Sequence, residues 1–150
     1  MQITRLSPND QDDFLRFISS IQQDFLRFKN LGKSHMRRYL EDPGYQLLVS
    51  KEDETIAGYI AYRIEAKDKM QFIGVGVGQS HRGTGLASRL FERMLSETRK
   101  IRPLTIYGRT WETNQASRRL MEKYGLRKYR TIPCDRINGE SSVWFRRLFR

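Results

Sequence analysis

The sequence is poor in the residues that build small secreted proteins and membrane spans. It has one cysteine, Cys134, and four prolines among 150 residues, so no disulfide can form within the chain. A single cysteine is typical of proteins from reducing compartments. The N-terminus, "MQITRL", lacks the basic and then apolar pattern of a secretory signal. No apolar run approaches the roughly 18 residues that a membrane span needs, so we expect a soluble, cytoplasmic protein with no membrane partner.

The chain also lacks internal repeats and Pro/Gly/Ser-rich linkers. Its length is sufficient to bury roughly two thirds of the unfolded surface in one core. We therefore predict a single domain over residues 1–150. The sequence leaves open whether the chain forms a homodimer.

Acidic residues are scarce in the second half of the chain. The net charge is +11, and residues 1–80 contribute nothing to it because they hold 11 basic and 11 acidic residues. Residues 81–150 hold 17 basic and 6 acidic residues. A basic half predicts an anionic ligand, nucleic acid or an acidic partner. The alternative is that these arginines only solvate exposed faces.

The order of hydrophobic patterns predicts strands mixed with helices. "MQITRL" is typical of a short strand, and a helix begins after "SPND" with Phe14, Phe17, Ile18, Ile21 and Phe25 at helical spacing. A second helix fits residues 34–41. "YQLLVS", "TIAGYIAYRIE" and "MQFIGVGV" predict a three-strand meander. A helix over 85–100, the strand "LTIYGRT", a helix over 114–124 that ends at Gly125, and a hairpin around Asn138-Gly139 follow. These elements indicate an α/β or α+β fold with one sheet.

The stretch "VGQSHRGTGLASRLFERML", residues 77–95, places two glycines where an amphipathic helix begins. Each glycine costs roughly 1 kcal/mol relative to alanine inside a helix. A helix N-terminus presents unpaired N–H groups with partial positive charge, and glycines allow an anion to approach them closely. Arg82 adds a cation at the same corner. We therefore interpret "RGTGLA" as a phosphate-binding turn, with an ordinary tight turn as the alternative.

Two nucleotide-binding motifs do not fit this turn. Gly78 and Gly83 have the four-residue gap of a P-loop, but Thr84 stands where that motif requires lysine. The dinucleotide-binding fingerprint fails because Ser88 follows where a third glycine or alanine is required.

The chain resembles the GNAT superfamily of N-acetyltransferases. Its most specific element is a strand, then Arg/Gln-x-x-Gly-x-Gly/Ala, then a helix, and "RGTGLA" (Arg82–Ala87) matches each defined position. The family's second element is similar to "NQASRRLMEKYGL", in which Asn114, Ser117, Leu120, Gly125 and Leu126 fall at the expected offsets. The order of elements also fits over nearly the whole chain. The resemblance implies a mixed, mostly antiparallel sheet of about six to seven strands flanked by about four helices.

The resemblance further implies transfer of the acetyl group of acetyl-CoA to a primary amine by direct attack on the thioester. The turn would hold the pyrophosphate, and the preceding strand would pair with the pantetheine arm, with the N–H of Val77 stabilising the carbonyl oxygen. The implied coenzyme contacts are Val75, Gly76, Val77, Arg82, Gly83, Thr84, Gly85, Leu86, Ala87, Ser88, Asn114 and Ser117. No metal is implied.

No catalytic acid or base can be assigned from the sequence. The family's frequent tyrosine acid falls at Met121, and Tyr124 lies one turn further on with a different direction. A thiol with a pKa near about 8.5 can leave as a thiolate without an acid. Gln71 stands where many relatives have a carboxylate. Glu65, Asp68, His81 and Glu112 are base candidates by proximity alone.

A run of glycines marks the strand before the turn. Regular alternation in "FIGVGVG" places Ile73, Val75 and Val77 on one face and Phe72, Gly74, Gly76 and Gly78 on the other. Glycine within a strand indicates a bulge or close approach by another group. We interpret the glycine face as a bare floor for thioester and acceptor, with close packing of a helix as the alternative.

Two other functions stay open. One is a basic module that binds nucleic acid through the second half, although helix-turn-helix spacing, zinc ligands and aromatic RNA-binding motifs are all missing. The other is a degenerate family member that binds coenzyme A without catalysis. For an active enzyme, the basic charge predicts a small-molecule or peptide amine acceptor that is neutral or acidic.

Overall fold

The computed structural model describes residues 1–21, 37, 39–135 and 139–150. Its centre is a seven-stranded sheet with the order β1-β2-β3-β4-β5-β7-β6. The strands are β1 (Gln2–Arg5), β2 (Tyr45–Glu52), β3 (Thr55–Ala66), β4 (Lys69–Val77), β5 (Leu104–Trp111), β6 (Arg127–Ile132) and β7 (Ser142–Phe149). Neighbouring strands are antiparallel except β4 and β5, which are parallel. The predicted mixed, mostly antiparallel sheet is confirmed.

In the described residues, the helices α1 (Gln11–Ile21), α2 (Leu86–Glu97) and α3 (Gln115–Lys123) pack on this sheet. Residues 37 and 39–41 are also helical. Of the earlier predictions, Phe25, most of the helix over 34–41 and Asn138 lie outside the described residues. None of the helices in the described ranges is both long and apolar enough to span a bilayer.

Two apolar clusters lie on opposite faces of the sheet. The larger cluster lies beneath α2 and α3 and includes the fully buried Leu90, Met94, Ile106 and Phe145. The smaller cluster lies beneath α1, which contributes Phe14, Phe17, Ile18 and Ile21. We call these sides the α2/α3 face and the α1 face. The predicted apolar stripe of α1 is confirmed at the four described residues Phe14, Phe17, Ile18 and Ile21, and α2 buries Leu86, Leu90, Phe91 and Met94.

The helix boundaries differ slightly from the sequence prediction. α2 ends at Glu97 rather than residue 100, and Thr98 is its C-cap, with a hydroxyl that donates to Met94 O at 2.9 Å. α3 ends as predicted just before Gly125, which has a left-handed φ of 82°. The hairpin of β6 and β7 is also present.

β4 contains a bulge, which the assumption of regular side-chain alternation along the strand could not reveal. Ala61 pairs with Gly74 and Tyr62 pairs with Phe72, so Ile73 is the extra residue. The predicted face assignment is therefore wrong: Phe72 shares the α2/α3 face with Val75 and Val77, whereas Ile73 packs with the α1 cluster.

Candidate functional site

β4 and β5 are paired along only half of their length. Their parallel register runs from Lys69 opposite Thr105 to Phe72 opposite Gly108. Beyond that point β5 continues its pairing with β7, and β4 continues its pairing with β3. In the described chain no strand pairs with the β5 side of residues 73–77. The two strands therefore part at Phe72 and Gly108 and leave a cleft.

The free edge of β4 presents backbone groups to this cleft. The N–H of Gly78 donates to Ala57 O of β3 at 2.8 Å, and Gly76 O faces Gly58 of the same strand. Backbone groups of successive strand residues point to opposite edges. Val75 and Val77 thus direct their N–H and C=O groups away from β3 and toward the cleft.

The turn that follows β4 has the geometry of an anion site. A short 3-10 helix, Gln79–His81, leads into Gly83 and Gly85, whose φ values are 75° and 82°. Gly85 is the N-cap of α2, and Arg89 is bonded back to Gly85 O at 3.1 Å. The amides of the first helical turn, before Arg89, are those that a helix leaves for an external acceptor.

Neither glycine is required by packing. A Cβ built on Gly83 or Gly85 would meet no atom within 4 Å. The left-handed φ values explain the residue type, and the open space above the turn leaves room for a ligand. Arg82 and Thr84 are exposed at this corner, and the Thr84 hydroxyl donates to His81 O. The structure thus brings the predicted Arg82–Ala87 motif to one helix start.

The His81 side chain closes the turn from the other side. Its Nε2 contacts Glu52 Oε2 at the end of β2, and its Nδ1 lies 3.1 Å from the Ser80 hydroxyl. Beside it, a cavity of about 710 Å³ lies between α1 and the start of β3, with Phe17, Ala57 and Gly78 among its lining residues. His81 is therefore held as a turn residue rather than directed into the β4–β5 cleft.

A lysine that the sequence did not single out also reaches the turn. Lys123, at the end of α3, donates to the Ser88 hydroxyl at 2.8 Å. This contact joins residues 35 positions apart, so only the packing of α3 beside α2 brings them together. It adds a second cation beside the first turn of α2.

Tyr124 joins the same two helices. Its hydroxyl lies 2.8 Å from Glu92 Oε1 and 3.1 Å from Ser88 O, and its ring stacks on Phe91 at 4.6 Å between centroids. Burial and the Glu92 contact raise the pKa of Tyr124 to about 12. The phenol is thus committed to a structural contact between α2 and α3, and it does not point to the position of the family's tyrosine acid at Met121.

Met121 lies at the point where the cleft closes. It is fully buried, and a Cβ built on Gly108 would lie 2.8 Å from its Sδ and 3.2 Å from Phe72 Cδ1. Gly108 and Phe72 are the last residues at which β5 and β4 pair with each other. A thioether that donates no proton therefore occupies the apex of the cleft.

Asn114 is the N-cap of α3. Its Oδ1 accepts from the Ser117 N–H at 3.2 Å, and its Nδ2 donates to the Thr110 hydroxyl of β5 at 2.9 Å. Both predicted residues of the second motif thus form one cap. The cap accounts for an asparagine at position 114 without a ligand, whereas Ser117 contributes only its backbone N–H.

The glycine-floor hypothesis is wrong at Gly76. A Cβ there would lie 2.4 Å from Tyr59 Cε1 and 2.7 Å from Ile21 Cδ1, and a Cβ at Gly78 would lie 3.4 Å from Phe17. Gly74 alone has open space. Close packing of a helix, the alternative interpretation, accounts for Gly76 and Gly78, because α1 and Tyr59 cover this face.

Of the base candidates, Glu65 has the most specific surroundings. Burial and the neighbouring Glu65 carboxylate raise the pKa of Tyr107. Tyr107 precedes Gly108 in β5, so the pair lies beside the cleft apex on the α1 face. Asp68 and Glu112 lie in turns at the ends of strands, where their side chains are exposed.

The comparisons with known proteins identify the class to which this fold and cleft belong. The chain matches the model of the acetyltransferase (GNAT) family over residues 14–126. It therefore belongs to the GNAT acetyltransferase family. A sequence search of curated proteins found no match.

Solved structures share the fold at low sequence identity. A ribosomal-protein-alanine N-acetyltransferase from Brucella melitensis is 16% identical with a TM-score of 0.82, covering 99% of this chain and 100% of that chain. The Salmonella typhimurium protein yncA, solved with its cofactor acetyl-CoA, is 17% identical with a TM-score of 0.81, over 100% and 94%. An N-acetyltransferase from Staphylococcus aureus Mu50 is 15% identical with a TM-score of 0.83, over 99% and 98%.

Proposed function

We propose that this chain is an N-acetyltransferase that transfers the acetyl group of acetyl-CoA to a primary amine. The observation that carries the proposal is the continuity of two backbone surfaces. The free edge of β4 at Val75 and Val77 runs directly into the glycine turn and the N-terminus of α2. The family membership and the acetyl-CoA complex of the Salmonella protein support the choice of donor.

The binding roles follow from the chemistry of these groups. Amides of Gly83–Ser88 bind the pyrophosphate, with Arg82 and Lys123 as flanking cations. Val75 and Val77 pair with the amide groups of the pantetheine arm, as a neighbouring strand would. Gly76 contributes only by allowing this backbone path, and Asn114 and Ser117 act by capping α3 beside the site.

The acetyl thioester supplies an activated acyl group, and the protein positions it for attack. The Val77 N–H stabilises negative charge on the carbonyl oxygen, and fixed placement of donor and amine lowers the entropic cost of their encounter. An amine with a pKa of about 10 must lose a proton before attack. Glu65 is the base candidate that we favour, because its carboxylate neighbours Tyr107, the residue before Gly108 at the cleft apex.

The leaving thiolate departs without a side-chain acid at the apex, because Met121 occupies that position. Its pKa of about 8.5 makes this departure feasible at neutral pH. Met121 also favours the second candidate function, a family member that binds coenzyme A without turnover. We further propose that residues 1–150 act as one domain, that the lone cysteine reflects a cytoplasmic location, and that the acceptor is neutral or acidic.

A thermal-shift experiment tests coenzyme binding first. Acetyl-CoA at about 100 times its Kd should stabilise the protein by roughly 2.7 kcal/mol, which raises Tm by several degrees. The double variant Arg82→Glu/Gly83→Val should lose this shift while retaining the native circular dichroism spectrum. Arg99→Glu, an equal charge change at an exposed residue beyond α2, is the control and should keep the shift.

Thiol release with a panel of amines then separates an enzyme from a coenzyme-binding protein. Release that depends on the amine supports the proposal. If acetyl-CoA binds but no amine in the panel causes thiol release, the result supports the second candidate, a coenzyme-binding protein without turnover. If acetyl-CoA produced no shift and Arg82→Glu/Gly83→Val behaved like the wild type, the assignment of the turn would be wrong.

A further inference from the structure

Half of the α1 face carries a basic and aromatic surface. The cluster beneath α1 contains residues of β2, β3 and β4 but none of β5, β6 or β7. On those three strands the register places Tyr107 and Arg109 of β5, Trp144 and Arg146 of β7, and Tyr129 and Arg130 of β6 on the α1 side. We call these six residues the open face. Tyr129 is 41% exposed, and Arg109, Arg130 and Arg146 are exposed.

Cations cover the aromatic rings of the open face. Arg109 lies 5.5 Å from the ring centre of Trp144, and Arg146 lies 4.3 Å from that of Tyr129. Tyr107 stacks on Trp144 at 5.7 Å and has Lys69 at 4.9 Å from its ring centre. The ring faces in such contacts are occupied by cations, whereas a guanidinium that covers a ring keeps N–H groups that can bind an anion. The arrangement therefore favours recognition of anionic groups over stacking of bases.

The open face has more cations than carboxylates. Asp135 lies 3.6 Å from Arg109, and Glu65 lies 3.9 Å from Lys69. Within the described residues, no carboxylate lies at ion-pair distance from Arg130 or Arg146.

The strand register itself places like charges opposite each other. Arg127 of β6 is the direct cross-strand partner of Arg146 of β7. Like charges at directly opposite positions destabilise a sheet. Negative charge bound between these strands would relieve that repulsion, so the face is complementary to an anionic partner.

The open face adjoins the place where the amine must be. Tyr107 and Arg109 flank Gly108, the β5 residue at the cleft apex. The turn for the coenzyme lies at the N-terminus of α2, on the α2/α3 face. A coenzyme that enters from that side leaves the opposite, α1 side for the acceptor.

We propose that the open face binds acidic residues of a polypeptide acceptor, those that directly follow its α-amino group. The inference rests on the proposed function. β5, β7 and β6 span about 10 Å at ordinary strand spacing, which an extended peptide covers in about three residues. Acidic side chains at about the second to fifth positions thus meet Arg109, Arg146 and Arg130.

The chain offers a matched pair of variants. Arg130 and Lys128 lie on the same strand and are both exposed, but Lys128 is paired with Phe145 and lies on the α2/α3 face. Arg130→Glu and Lys128→Glu make the same charge change on opposite faces. Binding is measured by fluorescence anisotropy of labelled peptides that share an N-terminal residue and carry either Glu or Lys at positions 2–5. Acetylation of the same peptides is measured by thiol release.

The wild type should bind and acetylate the Glu peptide at least about tenfold better than the Lys peptide. Arg130→Glu should abolish this preference, Lys128→Glu should retain it, and both should keep the acetyl-CoA thermal shift. If both variants lost the preference for the Glu peptide equally, the effect would come from net charge alone, and the inference would be overturned. Preference for the Lys peptide, or tighter binding of a single-stranded oligonucleotide, would also overturn it. If the Glu peptide bound without being acetylated, the result would support the open face as a binding surface for acidic residues and would contradict the proposed acetyltransferase activity.

Discussion

At the residue scale, glycines in this chain have two physical roles that the sequence alone does not separate. Gly83 and Gly85 adopt left-handed φ values in open space, whereas Gly76 and Gly108 have no room for a side chain. The first role leaves backbone accessible to a ligand, and the second allows two elements to pack. Substitutions should therefore separate binding from stability.

Gly85→Ala tests the first role. The left-handed φ of 82° should cost about 1 kcal/mol of unfolding free energy, and the methyl group should weaken acetyl-CoA binding by entering the open space in which the proposal places the ligand. Gly139→Ala is the control, since Gly139 has φ 84° and equally open space. Urea denaturation should show similar losses for both variants, and calorimetry should show weaker acetyl-CoA binding for Gly85→Ala alone. Equal affinity in the two would contradict the role of Gly85.

Gly76→Val tests the second role. Its Cβ would lie 2.4 Å from Tyr59 and 2.7 Å from Ile21, so overpacking should lower the unfolding free energy by about 1–3 kcal/mol. Gly74→Val, where a Cβ meets nothing within 4 Å, should change it by less than about 1 kcal/mol. Denaturant midpoints of the two variants provide the measurement. Similar midpoints would show that α1 does not pack on Gly76 in this way.

At the scale of elements, α3 is fixed to β5 through one side chain. Asn114 caps the helix and bonds the Thr110 hydroxyl. Asn114→Ala should destabilise the protein by about 1 kcal/mol, whereas Asn114→Asp should retain most of the cap because aspartate is an equally good N-cap. Thermal unfolding of the wild type and the two variants without ligand measures this order of stability. Equal stability of all three proteins would leave the coenzyme as the reason for an asparagine at this position.

The helices and strands could be predicted from local sequence patterns, whereas features that depend on contacts between distant segments could not. The turn at Arg82–Ala87 could be located because glycines, an arginine and an amphipathic helix are neighbours in sequence. The bulge at Ile73 could not, because it depends on how β4 registers with β3. The contact of Lys123 with Ser88 and the open face needed the packing of α3 and the position of β7 between β5 and β6.

At the scale of the whole molecule, the uneven charge follows the sheet. β5, β6 and β7 belong to the basic second half of the sequence, and they extend beyond the area that α1 covers. Part of the excess positive charge lies at the glycine turn before α2 and at the end of α3, where phosphates would bind. Another part lies on the open face. The two halves of the sheet thus differ in both covering and charge.

Buried and half-buried phenols should make the folded state sensitive to alkaline pH. Burial raises the pKa of Tyr39 to about 12, that of Tyr124 is about 12, and the pKa values of Tyr59, Tyr62 and Tyr107 are also raised from 10.0. A raised pKa stabilises the protein fully below pH 10, and the stabilisation falls as pH rises because the unfolded chain loses its protons first. We expect Tm to decrease between pH 10 and 12. Tyr124→Phe should reduce this slope, since it removes one titrating group while retaining the stacking on Phe91. A slope unchanged in Tyr124→Phe would show that the contact with Glu92 does not hold the phenol protonated.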